Sequence, residues 1–214
     1  MRNVLFVAPY PLQTTVRFAK ALRQLPQVRL LGVFQEPPRG EAASLFHDVA
    51  LVPNVLDAAV LLRGARALQA QYGQVHRILG ILEDLQVQLA LVRAEMGIHG
   101  TDPATAKRFR DKGLMKDALR AAGLPCAHHA RIHSMADAWA FVDRVGFPII
   151  LKPPAGAGAR ATFRVSSPQE LHQLLIEMQP SPTREWLAEE FLTGVEQTME
   201  TLTLNGQVHF HSIC

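Results

Sequence analysis

The chain has 214 residues, 48% of them hydrophobic and 19% charged, and a formal net charge of +3, a composition ordinary for a soluble globular protein with one large or two smaller domains. So small a positive balance excludes an electrostatic nucleic-acid footprint, and two distant cysteines, Cys126 and Cys214, exclude a disulfide framework or a zinc spacing. No apolar run approaches the ~18 residues of a membrane span, and the stretch from Met1 to Val7, soon broken by Pro9 and Pro11, is too short for a signal peptide, so a reducing cytoplasm is the expected setting.

Val4 to Ala8 is a continuous apolar run of central parallel-strand type. Thr14 or Thr15 is the expected cap of a helix carrying Val16, Ala19, Leu22 and Leu25, and Val28 to Phe34 is the next strand, with a shorter one at His47 to Val52. Asp57 caps a helix with Leu61, Ala65, Leu68 and Tyr72 on one face, ended by Gly73. Arg77 to Leu82 reads as a strand leading into Glu83 and Asp84, followed by a helix to about Glu95 that closes at Gly97. Strands alternating with helices predict an open parallel α/β layer over residues 1–100. Ligands of such layers sit beyond the carboxyl ends of strands, which makes Glu83 a candidate site residue as well as an ordinary helix-start acid.

Thr101-Asp102-Pro103 is a helix start that opens a second unit, 101–214. The run Lys107-Arg108-Phe109-Arg110-Asp111-Lys112 reads first as a solvated helix face and second as the carrier of a phosphate-facing lysine. Gly113 is expected to interrupt the helix, which resumes to Ala122 and ends at Gly123. Lys112 and Lys116 share a face, where two like charges need an anion or a neighbouring acid such as Asp111 or Asp117. Ser134 with Asp137, and Ser167 with Glu170, are capping boxes for two further helices.

Between those helices lies the stretch on which the function turns. Gly146 and Pro148 end one helix, Ile149-Ile150-Leu151 forms a buried-type strand that runs into Lys152, a small-residue loop follows, and Thr162-Phe163-Arg164-Val165 returns as a strand. Loop amides unobstructed by side chains, beside an ammonium group, suit a polyphosphate. No Gly-Lys-Ser/Thr occurs, so this is not a P-loop. Gly156 to Ala161 fits the dinucleotide pattern in letters only, because that pattern needs a helix to start inside the loop and the next helix cannot start before Ser167-Pro168. A plain glycine hairpin loop is the bland alternative. Further on, Trp186 to Leu192 reads as a strand running to a turn at Gly194, and Val195 to Leu204 pairs through Asn205-Gly206 with Val208 to Ile213. His209 and His211 share a face there, a polar sheet face more readily than a metal site without a third ligand.

Assembled, the second half resembles the ATP-grasp superfamily over about residues 80–214. Arg110-Asp111-Lys112 followed by Ala122-Gly123-Leu124-Pro125 resembles the family's "rDK…aGvP" element, Gly146-Phe147-Pro148 through Lys152-Pro153 its "GyPvVlKP" strand, and Glu189-Glu190-Phe191-Leu192 with Gly194-Val195-Glu196 its "EefhxGxE" element. The resemblance implies an α/β layer followed by an α+β one: a Rossmann-like pre-ATP-grasp domain, then an incomplete ATP-grasp domain with a lid at about residues 125–185. It implies that Lys112 and Lys152 contact nucleotide phosphates, that Gly156 and Gly158 lie in the loop covering them, that Glu189, Glu190 and Leu192 meet adenine largely through the backbone, and that Glu196 binds ribose hydroxyls.

Ala159 and Ala161 stand where many relatives have serine and glycine. The family's magnesium-binding acids and catalytic arginine normally lie further along than Cys214, so the resemblance implies the N-terminal portion of a longer enzyme, inactive in isolation, with Mg²⁺ ligands downstream of residue 214. The implied function is an ATP-dependent carboxylate–amine ligase working through an acyl phosphate on small-molecule carboxylate and amine substrates, with no nucleic-acid or membrane partner and self-association into a homo-oligomer left open. The alternative is a non-catalytic nucleotide-binding or assembly module. A nicotinamide oxidoreductase lacks its glycine fingerprint after Val4 to Ala8, where Pro9-Tyr10-Pro11 stands.

Overall fold

The apolar run at the amino terminus becomes β1 (Arg2–Ala8) of a computed structural model that describes residues 1–156 and 161–214. There follow α1 (Gln13–Arg23), β2 (Val28–Phe34), α2 (Glu41–Leu45), β3 (Asp48–Leu51), α3 (Ala58–Tyr72), β4 (Val75–Leu79), a 3-10 turn at Glu83–Leu85, α4 (Gln86–Glu95), α5 (Pro103–Arg110) and α6 (Lys112–Ala121). Two compact units form: Met1–Cys126 with Lys152–Ala161, and Ala127–Leu151 with Thr162–Cys214.

In the first unit the strand order is β3-β2-β1-β4, and the β1–β2, β1–β4 and β2–β3 pairings are parallel. This is the order of one half of a doubly wound dinucleotide fold. β1 is buried from Asn3 onward because both sheet faces are covered. Strand alternation divides it, with Leu5 and Val7 joining Leu31, Val33, Leu61, Ala65 and Leu89 in one core, and Val4, Phe6 and Ala8 joining Ala19, Leu30 and Phe34 in another. Each fully buried Leu, Val or Phe contributes about 1.5–3 kcal/mol of transfer free energy, so this central strand anchors the unit. Helix α3 lies close on the sheet at Gly64, where an added Cβ would stand 2.8 Å from Val52 Cγ1.

The predicted caps at Asp57 and Asp102 are present: Asp57 Oδ1 accepts from Ala59 N and Val60 N, and Asp102 Oδ1 from Thr105 N. Three local expectations are corrected. Helix α1 starts after Leu12, and buried Thr15 turns its hydroxyl to Tyr10 O at 3.5 Å, so neither Thr14 nor Thr15 is the cap. β4 stops at Leu79; Gly80 follows, with Val7 O 3.0 Å from where its Cβ would stand. The break between α5 and α6 falls at Asp111 rather than Gly113. Asp111 has extended backbone, and its Oδ1 accepts from Leu114 N at 2.9 Å, so the helix restarts one residue later and Gly113 is buried inside it.

The second unit contains β5 (His129–Ile132), α7 (Met135–Val145), β6 (Ile149–Lys152, whose last residue clusters with the first unit), β7 (Phe163–Val165), α8 (Pro168–Met178), β8 (Trp186–Glu190), β9 (Met199–Leu204) and β10 (Gln207–Ile213). Strands order as β5-β8-β6-β7, with β5–β8 and β6–β7 antiparallel. Ile132, Ile149, Leu151, Val165 and Ala188 form one core with Phe141 of α7 and Leu171 and Leu175 of α8. Both capping boxes close: Ser134 Oγ accepts from Asp137 N and Asp137 Oδ2 from His133 N, while Ser167 Oγ accepts from Glu170 N and Glu170 Oε2 from Ser166 N.

β9 and β10 form a separate two-stranded sheet that begins at Met199 rather than Val195. It turns at Asn205 and Gly206, whose φ values of 51° and 79° fit a two-residue hairpin turn. The register shifts between Val208 and Phe210, so His209 sits in an irregularity of the strand.

Candidate nucleotide site

β6 and β7 realise the strand–loop–strand pattern, with Ile149 opposite Val165, Ile150 opposite Arg164 and Leu151 opposite Phe163. Period-two alternation buries Ile149 and Leu151 and leaves Ile150 and Lys152 half-buried on the other face. Lys152 therefore ends β6 where the loop begins. With β7 a strand from Phe163, no helix opens at the end of the Gly156–Ala161 letter pattern among the described residues, which removes the dinucleotide reading.

The loop does not stand alone. Lys112, first residue of α6, donates its backbone N–H to Pro154 O at 2.9 Å and its Nζ to Gly156 O at 2.9 Å. Two sequence elements more than forty residues apart thus meet at the amino end of one helix, and a lysine ammonium lies against the loop backbone. Among the described residues, no heavy atom lies within 4 Å of where a Cβ on Gly156 would be. Gly158, Ala159 and Arg160 lie outside the described residues.

Glu189, Glu190, Leu192 and Glu196 belong to the second unit. Glu189 is 7% exposed, sits in β8 and pairs in register with His129. Glu190 ends that strand; its Oε1 accepts from His128 N at 2.9 Å and its own N–H donates to His128 O. One carboxylate oxygen thus holds the start of β5. Beyond it the Arg164 guanidinium carbon lies 4.2 Å over the Phe191 ring centroid, and Phe191 N donates to Pro148 O. Leu192 and Glu196 are exposed.

Glu83, a candidate from its place past a strand, is engaged. Arg110 Nη1 meets Glu83 Oε1 at 2.9 Å and Arg110 Nη2 meets Asp84 Oδ1 at 2.5 Å. The basic run that reads as a solvated face divides here: Lys107, Arg108 and Phe109 are exposed, while Arg110, Asp111 and Lys112 are half-buried. An adjacent acid pair after a strand was the available signal for that partner, but nothing local chooses among the nearby arginines. Among the described residues no three His, Cys, Asp or Glu side chains gather as a metal site, His209 and His211 included, and no helix is long and apolar enough to cross a membrane.

Residues 111–202 match the family model "Carbamoyl-phosphate synthase L chain, ATP binding domain". The chain is 28% identical over 171 residues to an L-arginine-specific L-amino acid ligase of Bacillus subtilis, covering 77% of this chain and 41% of that protein. It is 28% identical over 141 residues to the carbamoyl phosphate synthase large chain of Streptomyces griseus, covering 65% of this chain and 13% of that protein. Among solved structures it superposes on an L-amino acid ligase from Bacillus licheniformis with a TM-score of 0.73 at 18% identity, covering 98% of this chain and 49% of that one. It superposes on N5-carboxyaminoimidazole synthetase from Staphylococcus aureus complexed with ADP with a TM-score of 0.71 at 16% identity, covering 97% and 52%. The chain thus spans about half the length of these solved structures and less than half of these curated relatives.

Proposed function

We propose that the chain is an ATP-grasp protein, that it binds ATP and that it acts in the ATP-dependent joining of a small-molecule carboxylate to an amine or related nucleophile, a reading supported by the family-model match and the ligase relatives. The observation that carries this reading is the pair of hydrogen bonds that Lys112 donates to the lysine loop, N–H to Pro154 O and Nζ to Gly156 O. It sets a cation against the backbone of a small-residue loop, the arrangement a triphosphate uses. The likeness to an L-amino acid ligase supports carboxylate and amine substrates.

In such a ligation a substrate carboxylate oxygen attacks the γ-phosphorus, ADP leaves, and an amine then displaces phosphate from the acyl carbon. The protein's share is alignment and charge neutralisation at the transferred group. Lys152 and Lys112 hold the outer phosphates. Gly156 lets the loop main chain approach them, a role that extends to Gly158. The segment Glu189 to Leu192 meets adenine through its main chain, consistent with Glu190 Oε1 already being bound by His128 N–H. Glu196 accepts from the ribose hydroxyls.

Titration calorimetry with ATP and AMP tests the assignment. Lys152→Ala should weaken ATP binding by about 1.5–3 kcal/mol, the scale of a hydrogen bond to a charged group, and AMP binding much less. Equal losses for both nucleotides would mean that Lys152 does not meet the outer phosphates. Glu196→Ala should instead weaken both nucleotides, and unchanged affinities would remove it from the site.

A further inference from the structure

We infer that Arg110 is a positioning residue for Lys112, an inference that rests on the nucleotide-site reading above. Arg110 closes α5 one residue before the Asp111 cap and two before Lys112. Its two terminal nitrogens go to two different carboxylates, Nη1 to Glu83 Oε1 at 2.9 Å and Nη2 to Asp84 Oδ1 at 2.5 Å, both in the segment after β4. The guanidinium side chain is 18% exposed, against 48% and 59% for its partners. The planar fork suits this double engagement, and the point charge of a lysine does not.

The connections run through consecutive bonded elements. β4 belongs to the parallel sheet, the Glu83–Leu85 turn follows it, Arg110 ties α5 to that turn, Asp111 Oδ1 caps α6 through Leu114 N, and Lys112 then bonds Pro154 and Gly156. A charge placed within ångströms of a phosphoryl group acts in proportion to how well it is held. The acid pair therefore serves the phosphate site from a distance, with Arg110 as the link and no contact of its own to the nucleotide.

The test uses the 214-residue chain, ATP and AMP. Arg110→Gln should weaken ATP about three- to tenfold and AMP less than about twofold, the range of a residue that tunes a site it does not touch. Arg110→Lys should recover part of the loss. The exposed double variant Glu83→Gln with Asp84→Asn should reproduce the ATP-selective loss, and combining it with Arg110→Gln should add little. That acid-side variant decides the matter if Arg110→Gln fails to fold. Additive losses, equal losses for ATP and AMP, or unchanged ATP affinity in the acid-side variant would overturn the positioning role. Lys152→Ala, run in parallel, separates the two ideas. If it leaves ATP binding intact, the nucleotide-site reading fails; if it weakens ATP while the Arg110 and acid-side variants do not, only the positioning role fails.

Discussion

Lys112→Ala makes the sharpest demand on the site. In the free chain Lys112 Nζ already donates to Gly156 O at 2.9 Å. A phosphate oxygen therefore gains this ammonium only as the carbonyl gives it up. Hydrogen bonds involving a charged group contribute about 1.5–3 kcal/mol, and an ammonium–carbonyl bond belongs at the low end while a bond to a phosphate belongs at the high end. The difference, about 1.5 kcal/mol, corresponds to roughly a tenfold loss of ATP affinity on substitution. It should be smaller for ADP and near zero for AMP. Calorimetry with the three nucleotides, on protein whose circular dichroism matches wild type, reads this gradient directly. A loss that is the same for AMP as for ATP would refute the exchange of Gly156 O for phosphate, and so would a gain in ATP affinity.

Three further outcomes follow from the packing. The Tyr72 hydroxyl donates to Asp48 Oδ2 at 2.7 Å and, with Val49 N–H second, holds the Asp48 carboxyl below its ordinary value of 3.8. A depressed folded-state pKa gives stability that is full above the ordinary value and is lost as pH falls through the lower one. Tyr72→Phe should thus raise the Asp48 titration midpoint seen by NMR and flatten the acid limb of stability, and an unmoved midpoint would contradict the assigned cause. Gly64→Ala should destabilise by up to about 2 kcal/mol in urea denaturation, because overpacking of about 1–3 kcal/mol against Val52 Cγ1 at 2.8 Å and Val33 Cγ1 at 3.3 Å outweighs the roughly 1 kcal/mol of helix propensity gained; a stabilised variant would show that α3 moves outward freely. The β9–β10 hairpin exposes Met199, Leu202, Leu204, Val208, Phe210 and Ile213 and has no lysine or proline to guard its edges. Sedimentation velocity should detect concentration-dependent self-association that Leu202→Lys with Phe210→Lys suppresses, and a monodisperse parent chain at high concentration would count against it.

Much of this molecule is written in short stretches. The cap at Asp57, the Pro103 helix start behind Asp102, the two serine capping boxes and the Asn205-Gly206 turn each depend on residues within about four positions of one another. So does the run of Ile149 to Leu151 into Lys152, since β-alternation and a small-residue loop are local properties. The ATP-grasp resemblance draws on the same stretches, which is why it carries implied phosphate roles for Lys112 and Lys152. Where local signals compete the reading slips. At residues 110–113 a glycine and a capping aspartate both offer a helix break, and the aspartate prevails because its carboxylate satisfies Leu114 N–H, a gain glycine lacks. What no stretch contains is who meets whom. Arg110 finds Glu83 and Asp84 across 27 and 26 residues, Lys112 finds Gly156 across 44, and Glu190 finds His128 N–H across 62. Those pairings exist because sheet register and helix packing bring distant backbone together. Hydrogen bonds and ion pairs fall off within ångströms, so they depend on spatial separation, to which position along the chain is no guide.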